Sequence, residues 1–190
     1  MRIVLLGAPG SGKGTQAAKM VAALELPHIS TGALLRAAVA ANSPLGQAAK
    51  AVMDRGELVS DDIMLGLIEE RLSASDVVKG FILDGYPRNL SQAAALDKVL
   101  NRLQQPVEIA LQIDVDEEEV IQRIAGRAAA EGRSDDSEAV VRNRMRVYAQ
   151  QTAPVTGHYA AQGKLTRILG EGSVDDVFQR ILAVLHARSD

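Results

Sequence analysis

The sequence predicts an α/β fold: a five-stranded parallel sheet with helices on both faces. Three observations predict it. Five short apolar runs, each bounded by turn or capping residues, alternate with longer stretches of helical spacing. Short runs that are apolar throughout suit strands buried on both faces, and regular strand–helix alternation implies parallel pairing through crossovers. The first run breaks straight into a glycine-rich loop, which marks the carboxyl edge of the sheet as the place where ligands gather. The chain has 190 residues, 47% of them hydrophobic, enough for a single core domain (residues 1–190) with small inserts.

Taken in order, the first strand is residues 2–6, centred on Ile3-Val4-Leu5-Leu6, and a helix over 15–23 follows the loop. The second strand is 27–30. Between Thr31 and Lys79 lie about fifty residues with at least three helical patterns, more than an ordinary crossover needs, so part of this stretch is expected to project as a helical insert. Within it, Ser60-Asp61-Asp62 caps a helix that runs to about Leu72. The third strand is 80–83. Leu96, Val99, Leu100 and Leu103 form one apolar stripe on a helix over 89–103. The fourth strand, 109–113, precedes a helix over 116–130 whose acidic opening suits a helix N-terminus. Residues 126–136, dense in charge and glycine, are expected to form a mobile flap over the phosphate site. The fifth strand is 165–169, and Ser173 caps the last helix, to about residue 187.

The loop Gly7-Ala8-Pro9-Gly10-Ser11-Gly12-Lys13-Gly14-Thr15 carries the strongest chemical signal. Glycines let backbone N–H groups curl round an anion, the positive end of the next helix faces the same point, and Lys13 adds a full charge. The pattern is that of a nucleoside-triphosphate loop, with Gly7 and Gly12-Lys13 in register, except that Gly14 occupies the hydroxyl slot and Thr15 comes one place late. A Mg²⁺ ion would then be held mainly by phosphates and water, with help from elsewhere.

Composition excludes several classes. There is no cysteine, hence no disulfide, thiolate nucleophile or cysteine-based zinc site. His28, His158 and His186 have no metal-ligand spacing and read as packing or surface residues. No segment approaches a membrane span, no leader is apparent, and the formal net charge of −3 argues against a general nucleic-acid binder. A cytoplasmic protein is expected. Holding a triphosphate in a mildly acidic chain requires positive charge to be concentrated locally. Arg36, Arg88, Arg123, Arg127, Arg133 and Arg144 fall at strand ends, in the insert and about the flap, and guanidinium forks match phosphate oxygens. Arg55, Arg71 and Arg102 read as ordinary surface charge. Asp84 ends an apolar strand and is placed to hold Mg²⁺, directly or through water.

Beyond the loop itself, Gln16, Ser30-Thr31-Gly32, Leu35-Arg36, Gly56-Glu57-Leu58-Val59, Asp84-Gly85-Tyr86-Pro87-Arg88, Gln92, Arg123-Ile124-Ala125-Gly126-Arg127 and Arg133-Ser134-Asp135-Asp136 occur in one order along nearly the whole chain. In these motifs the sequence resembles the adenylate kinases, bacterial short-lid form, within the nucleoside monophosphate kinases. That resemblance implies a P-loop NTPase-type sheet, an NMP-binding insert at 30–59, a short lid at 126–136, and the reaction Mg·ATP + AMP ⇌ 2 ADP in a monomer that needs Mg²⁺ and no zinc. It implies that Gly10, Ser11, Gly12, Lys13, Gly14 and Thr15 hold the ATP phosphates, with Arg123 and Arg127 closing from the lid side. Arg127 and the backbone near Gly172 would border the ATP base. Thr31, Arg36, Glu57, Leu58, Val59, Gly85, Tyr86, Pro87, Arg88 and Gln92 would form the AMP site, and Arg133 and Arg144 would bridge the phosphates of both nucleotides. Lys13, Arg88, Arg123, Arg133 and Arg144 are the expected catalytic set.

One departure stands out. The family usually has Thr-Gly-Asp after the second strand, where this chain has Thr31-Gly32-Ala33, so weaker Mg²⁺ binding is expected. Two other readings compete. A UMP/CMP kinase shares the loop, the Pro-Arg turn and a short lid, but Thr31 and Gln92 argue for adenine. A nucleotide-dependent switch would need a residue to orient hydrolytic water, and the Asn-Lys-x-Asp of GTP readers is missing. The acceptor here would be a phosphate oxygen, already anionic at pH 7. That fits the lack of any convincing general base, since phosphoryl transfer is mostly positioning and charge relief.

Overall fold

The computed structural model describes the backbone of residues 1–131 and 137–188, and their side chains except for 127–131. The chain runs β1 (Arg2–Leu6), α1 (Lys13–Leu24), β2 (His28–Ser30), α2 (Thr31–Ala40), α3 (Pro44–Asp54), α4 (Asp61–Leu72), a 3₁₀ turn (Ser75–Val77), β3 (Phe81–Asp84), α5 (Leu90–Arg102), β4 (Ile109–Asp114), α6 (Glu117–Glu131), α7 (Glu138–Val147), a π turn (Tyr148–Thr152), α8 (Val155–Ala161), β5 (Leu165–Leu169) and α9 (Val174–Ala187). All strand pairs are parallel, in the order β2-β3-β1-β4-β5.

The period-two alternation of β1 sorts its side chains between two cores. Ile3 and Leu5 join Ala17 and Met20 of α1 and Val177, Ile181 and Leu185 of α9. Val4 and Leu6 join Leu96 and Leu100 of α5, Ile68 and Leu72 of α4, and Val155 and Tyr159 of α8. Each such residue withdrawn from water contributes about 1.5–3 kcal/mol, so the central strand anchors both layers. A third, small cluster joins Val120 and Ile124 of α6 to Val141 of α7, with Ala8 of the loop packed against it. It seats the phosphate loop on α6.

Several boundaries differ from expectation. Helix α1 begins at Lys13, because Gly12 takes φ +93° as its N-cap and allows the chain to turn directly into the helix. Strand β3 extends to Asp84, which pairs in register with Leu5 and Ser30. Ser60 makes no side-chain capping bond to α4, although Asp61 and Asp62 do occupy its first turn. By contrast, Ser173 and Asp176 form a full capping box on α9. Strand β5 is an edge strand with only Ile168 buried, so it is not covered on both faces. Helix α6 continues to Glu131, well into the span expected as the flap, and the rest of that span lies outside the described residues. In the long crossover, α2 and α3 pack so closely that a Cβ on Gly46 would lie 2.1 Å from the carbonyl oxygen of Ala38. Among the described residues no helix is long and apolar enough to cross a membrane.

Candidate active site

The carboxyl ends of β1, β2 and β3, the loop between β1 and α1, and the faces of α2, α6 and α7 enclose one cleft of about 1290 Å³. At its floor, Lys13 Nζ donates to the carbonyl oxygens of Gly7 and Ala8, both at 2.8 Å. The ammonium is thus poised over the loop rather than extended from it. The first turn of α1 carries no acidic residue, so the positive end of its dipole is not neutralised locally. Gly10, Ser11, Gly12, Gly14 and Thr15 all line the same cleft.

Asp84 faces this floor from β3. Its Oδ2 lies 4.0 Å from where a Cβ on Gly14 would sit and 3.5 Å from His28 Nε2, an electrostatic neighbour rather than a short hydrogen bond. Burial opposes the charge on Asp84, but His28, Lys13 and Arg88 more than offset it and hold the carboxyl below the ordinary carboxylate range. It is therefore a carboxylate at neutral pH. Among the described residues no group of three or more His, Cys, Asp or Glu could hold a metal by protein ligands alone. One ionised carboxylate beside a phosphate loop does fit Mg²⁺, which keeps several waters and takes the rest of its shell from phosphate oxygens.

Arg36, Arg88, Arg123 and Arg144 all reach the cleft. Arg123 bridges its two walls: its guanidinium donates to Ser11 O at 3.4 Å and to Gly170 O at 2.8 Å, and it pairs with Glu119 one turn back on α6. Arg88 is set from three directions. Its Nε donates to Gly85 O at 2.8 Å, its backbone N–H to Gln92 Oε1 at 2.7 Å, and its carbonyl accepts from Thr152 Oγ1 at 2.7 Å. Arg36 folds back over the start of α2, its Nη1 lying 3.2 Å from where a Cβ on Gly32 would sit. Arg144 comes from α7, its stem beside Gly56.

A smaller recess of about 70 Å³ opens beside the cleft, lined by Thr31, Leu58, Val59, Met64, Gly85 and Gln92 among others. Arg36, Arg88 and Arg144 line both spaces. The cleft over the glycine-rich loop and a side recess therefore meet at three guanidiniums. Such a junction can hold two anionic groups end to end and relieve charge developing between them.

Not every expected residue joins this arrangement. Tyr86 is 1% exposed, packs in the core under the turn, and lines neither space. Burial pushes its hydroxyl up to about 12. Glu57 borders the recess, but its carboxylate is engaged by Arg55 at 2.9 Å. Pro87 and Gly172 line the larger cleft. The side chain of Arg127 and the whole of Arg133 lie outside the described residues. Arg102 is exposed and paired with Glu69, as a surface arginine should be, whereas Arg71, expected as ordinary surface charge, is half-buried, paired with Asp76, and lines the cleft.

Other residues were not legible as site residues. His28 read as packing or surface, yet it stands beside Asp84. Asp61 read as a helix cap, yet its carboxylate accepts from Asn89 and Gln92, 28 and 31 residues away. Thr152 and Gly170 hold arginines through contacts that no local pattern encodes, whereas the pairing of Glu119 with Arg123 is an i,i+4 contact on one helix.

The sequence model of the adenylate kinase family matches residues 5–164. The chain is 59% identical over 185 residues to the adenylate kinase of Xanthomonas euvesicatoria pv. vesicatoria (strain 85-10), covering 97% of this chain and 99% of that protein. Against the adenylate kinase of Xanthomonas oryzae pv. oryzae (strain MAFF 311018) the identity is 60% with the same coverage. Against that of Xylella fastidiosa (strain 9a5c) it is 58%, again over 97% of this chain and 99% of the relative.

Proposed function

The chain belongs to the adenylate kinase family, phosphotransferases acting on AMP and ATP, and from that premise we propose how its cleft divides the work of making two ADP from Mg·ATP and AMP. The loop Gly10–Thr15 receives the donor phosphates, with backbone N–H groups and Lys13 meeting their charge. Arg123 and Gly172 border the donor nucleotide, the former already spanning Ser11 and Gly170. AMP enters the recess of Thr31, Leu58, Val59, Gly85 and Gln92, with its phosphate turned towards Arg36, Arg88 and Arg144.

The observation that carries this reading is that three arginines line both spaces. Charge builds on the oxygens of the transferring phosphoryl group, and preorganised guanidiniums at the junction stabilise it there without reorganising. The acceptor oxygen is anionic at neutral pH, so the chain needs no base to activate it. Asp84 would hold Mg²⁺ through water; when bound with ATP, the ion neutralises the β- and γ-phosphates.

The competing acceptor is water. We assign its exclusion to closure of the insert at 30–59; the expected lid at 126–136, with Arg127 and Arg133, falls largely outside the described residues. The enzyme acts as a cytoplasmic monomer. The test is a coupled assay of ADP production with AMP, UMP, CMP and GMP as acceptors. AMP should be preferred over the others by orders of magnitude, and two adenosines joined through five phosphates should inhibit strongly. Preference for UMP or CMP, or ATP hydrolysis with no transfer to AMP, would refute the assignment.

A further inference from the structure

We propose that Asp61 sets the base selectivity of the acceptor recess by locking the side-chain amide of Gln92 in one of its two orientations. The proposal rests on the reading that Gln92 faces the acceptor base. Gln92 is 2% exposed and lines the recess. Its Oε1 accepts from the backbone N–H of Arg88 at 2.7 Å, and its Nε2 donates to Asp61 Oδ1 at 2.9 Å. A backbone N–H can only donate and a carboxylate can only accept, so the two partners leave a single amide orientation. Turned through half a revolution, Gln92 would set donor against donor at Arg88 and acceptor against acceptor at Asp61.

The carboxylate is itself held in place. Asn89 Nδ2 donates to the same Asp61 oxygen at 3.0 Å, while Asn89 Oδ1 accepts from the backbone N–H of Gln92 at 2.8 Å and caps α5. Burial opposes the charge on Asp61, but hydrogen bonds from Asn89, Gln92 and Ser91 outweigh it, so the group is ionised and an acceptor at neutral pH. The lock thus ties the start of α4 to the start of α5.

A primary amide has two N–H groups and two oxygen lone pairs. With one of each engaged by the protein, one donor and one acceptor remain for a ligand, in a fixed order. A 6-aminopurine presents an N6–H donor beside the N1 acceptor. A 6-oxopurine presents an O6 acceptor beside an N1–H donor, the reverse order. A free amide reads both by flipping. A locked one reads one order only, which in a recess that takes AMP is the aminopurine's, and the wrong base leaves buried polar groups unpaired.

The test compares kcat/KM for AMP and IMP in the wild type, Asp61→Asn and Asp61→Ser, with Asp62→Asn as the charge-matched control at an exposed neighbour. Asparagine can donate where aspartate only accepts, so it removes the clash at position 61 and leaves only the Arg88 N–H opposing the flipped amide. The AMP-to-IMP ratio should fall by tenfold or more in Asp61→Asn. The change should appear in KM for the monophosphates, with KM for ATP within threefold of the wild type, and Asp62→Asn should keep the wild-type ratio. If Asp61→Asn fails to fold, Asp61→Ser carries the same expectation. A ratio within threefold of the wild type in the folded variant overturns the lock. A wild type that does not prefer AMP to IMP overturns the reading of the recess on which the lock depends.

Discussion

Arg88 is where the two-anion reading is most exposed to test. Its Nε is already spent on Gly85 O at 2.8 Å, and its main chain is tied by Gln92 and Thr152. A phosphate at the junction of cleft and recess would therefore be met by the two terminal nitrogens. Hydrogen bonds to a charged partner contribute about 1.5–3 kcal/mol each, so two of them amount to about 4 kcal/mol. At about 1.4 kcal/mol per decade, Arg88→Ala should lower kcat/KM for AMP on the order of a thousandfold. Arg88→Lys keeps the charge but loses the fork and the Nε anchor, and should fall in between. The assay is steady-state ADP production with AMP varied at saturating Mg·ATP, accompanied by a thermal melt. The lost bond to Gly85 contributes about 1 kcal/mol, a fall in Tm of about 2–4 °C for a chain of this size, so the variant should remain folded. A loss under tenfold in folded Arg88→Ala would show that the guanidinium does not touch the reacting phosphates.

Three further outcomes are expected. Ala33 is exposed at the first turn of α2, and Ala33→Asp would add a second carboxylate to the cleft that Asp84 also lines; activity titrated against free Mg²⁺ should reach half-maximum at lower Mg²⁺ in the variant, and superimposable curves would discard the idea. Gly46→Ala should lower Tm by several degrees through an overpacking penalty of about 1–3 kcal/mol against the Ala38 carbonyl; a rise in Tm, as helix propensity alone would produce, would refute the close approach of α2 and α3. Asp61 has its acidity strengthened in the fold, so its contribution to stability is complete above the unfolded value of about 4 and is lost as pH falls through the lower folded value. Denaturant melts should therefore show a gap between the wild type and Asp61→Asn that is constant above about pH 5 and narrows below about pH 4, and a gap that stays flat down to about pH 2.5 would contradict the shift.

Legibility was greatest where chemistry is local. The β1–loop–α1 unit, the apolar stripe of α5 and the capping box at Ser173 each depend on residues within a few positions of one another. Such patterns survive reading in one dimension because strand alternation, helical spacing and caps are short-range effects. A helix was expected after the flap, but the bounds of α7 and the π turn after it were not legible, since α7 buries only Val141 and Val147 among charged neighbours and so has no full apolar stripe. The burial of Tyr86 beneath its own motif was also hidden: a turn residue next to a ligand-facing arginine can point either way.

The sequence by itself determined the sheet, the phosphate loop and the chemical identity of the groups that gather at its edge, because backbone sterics and hydrophobic periodicity act over a few residues. Only the tertiary structure decided which arginines meet at the junction of cleft and recess, that His28 stands by Asp84, and that Asp61 and Arg88 together orient Gln92. Those contacts join groups that the parallel crossovers carry to the same edge of the sheet, and hydrogen bonds and charge act across that short distance whatever the separation along the chain.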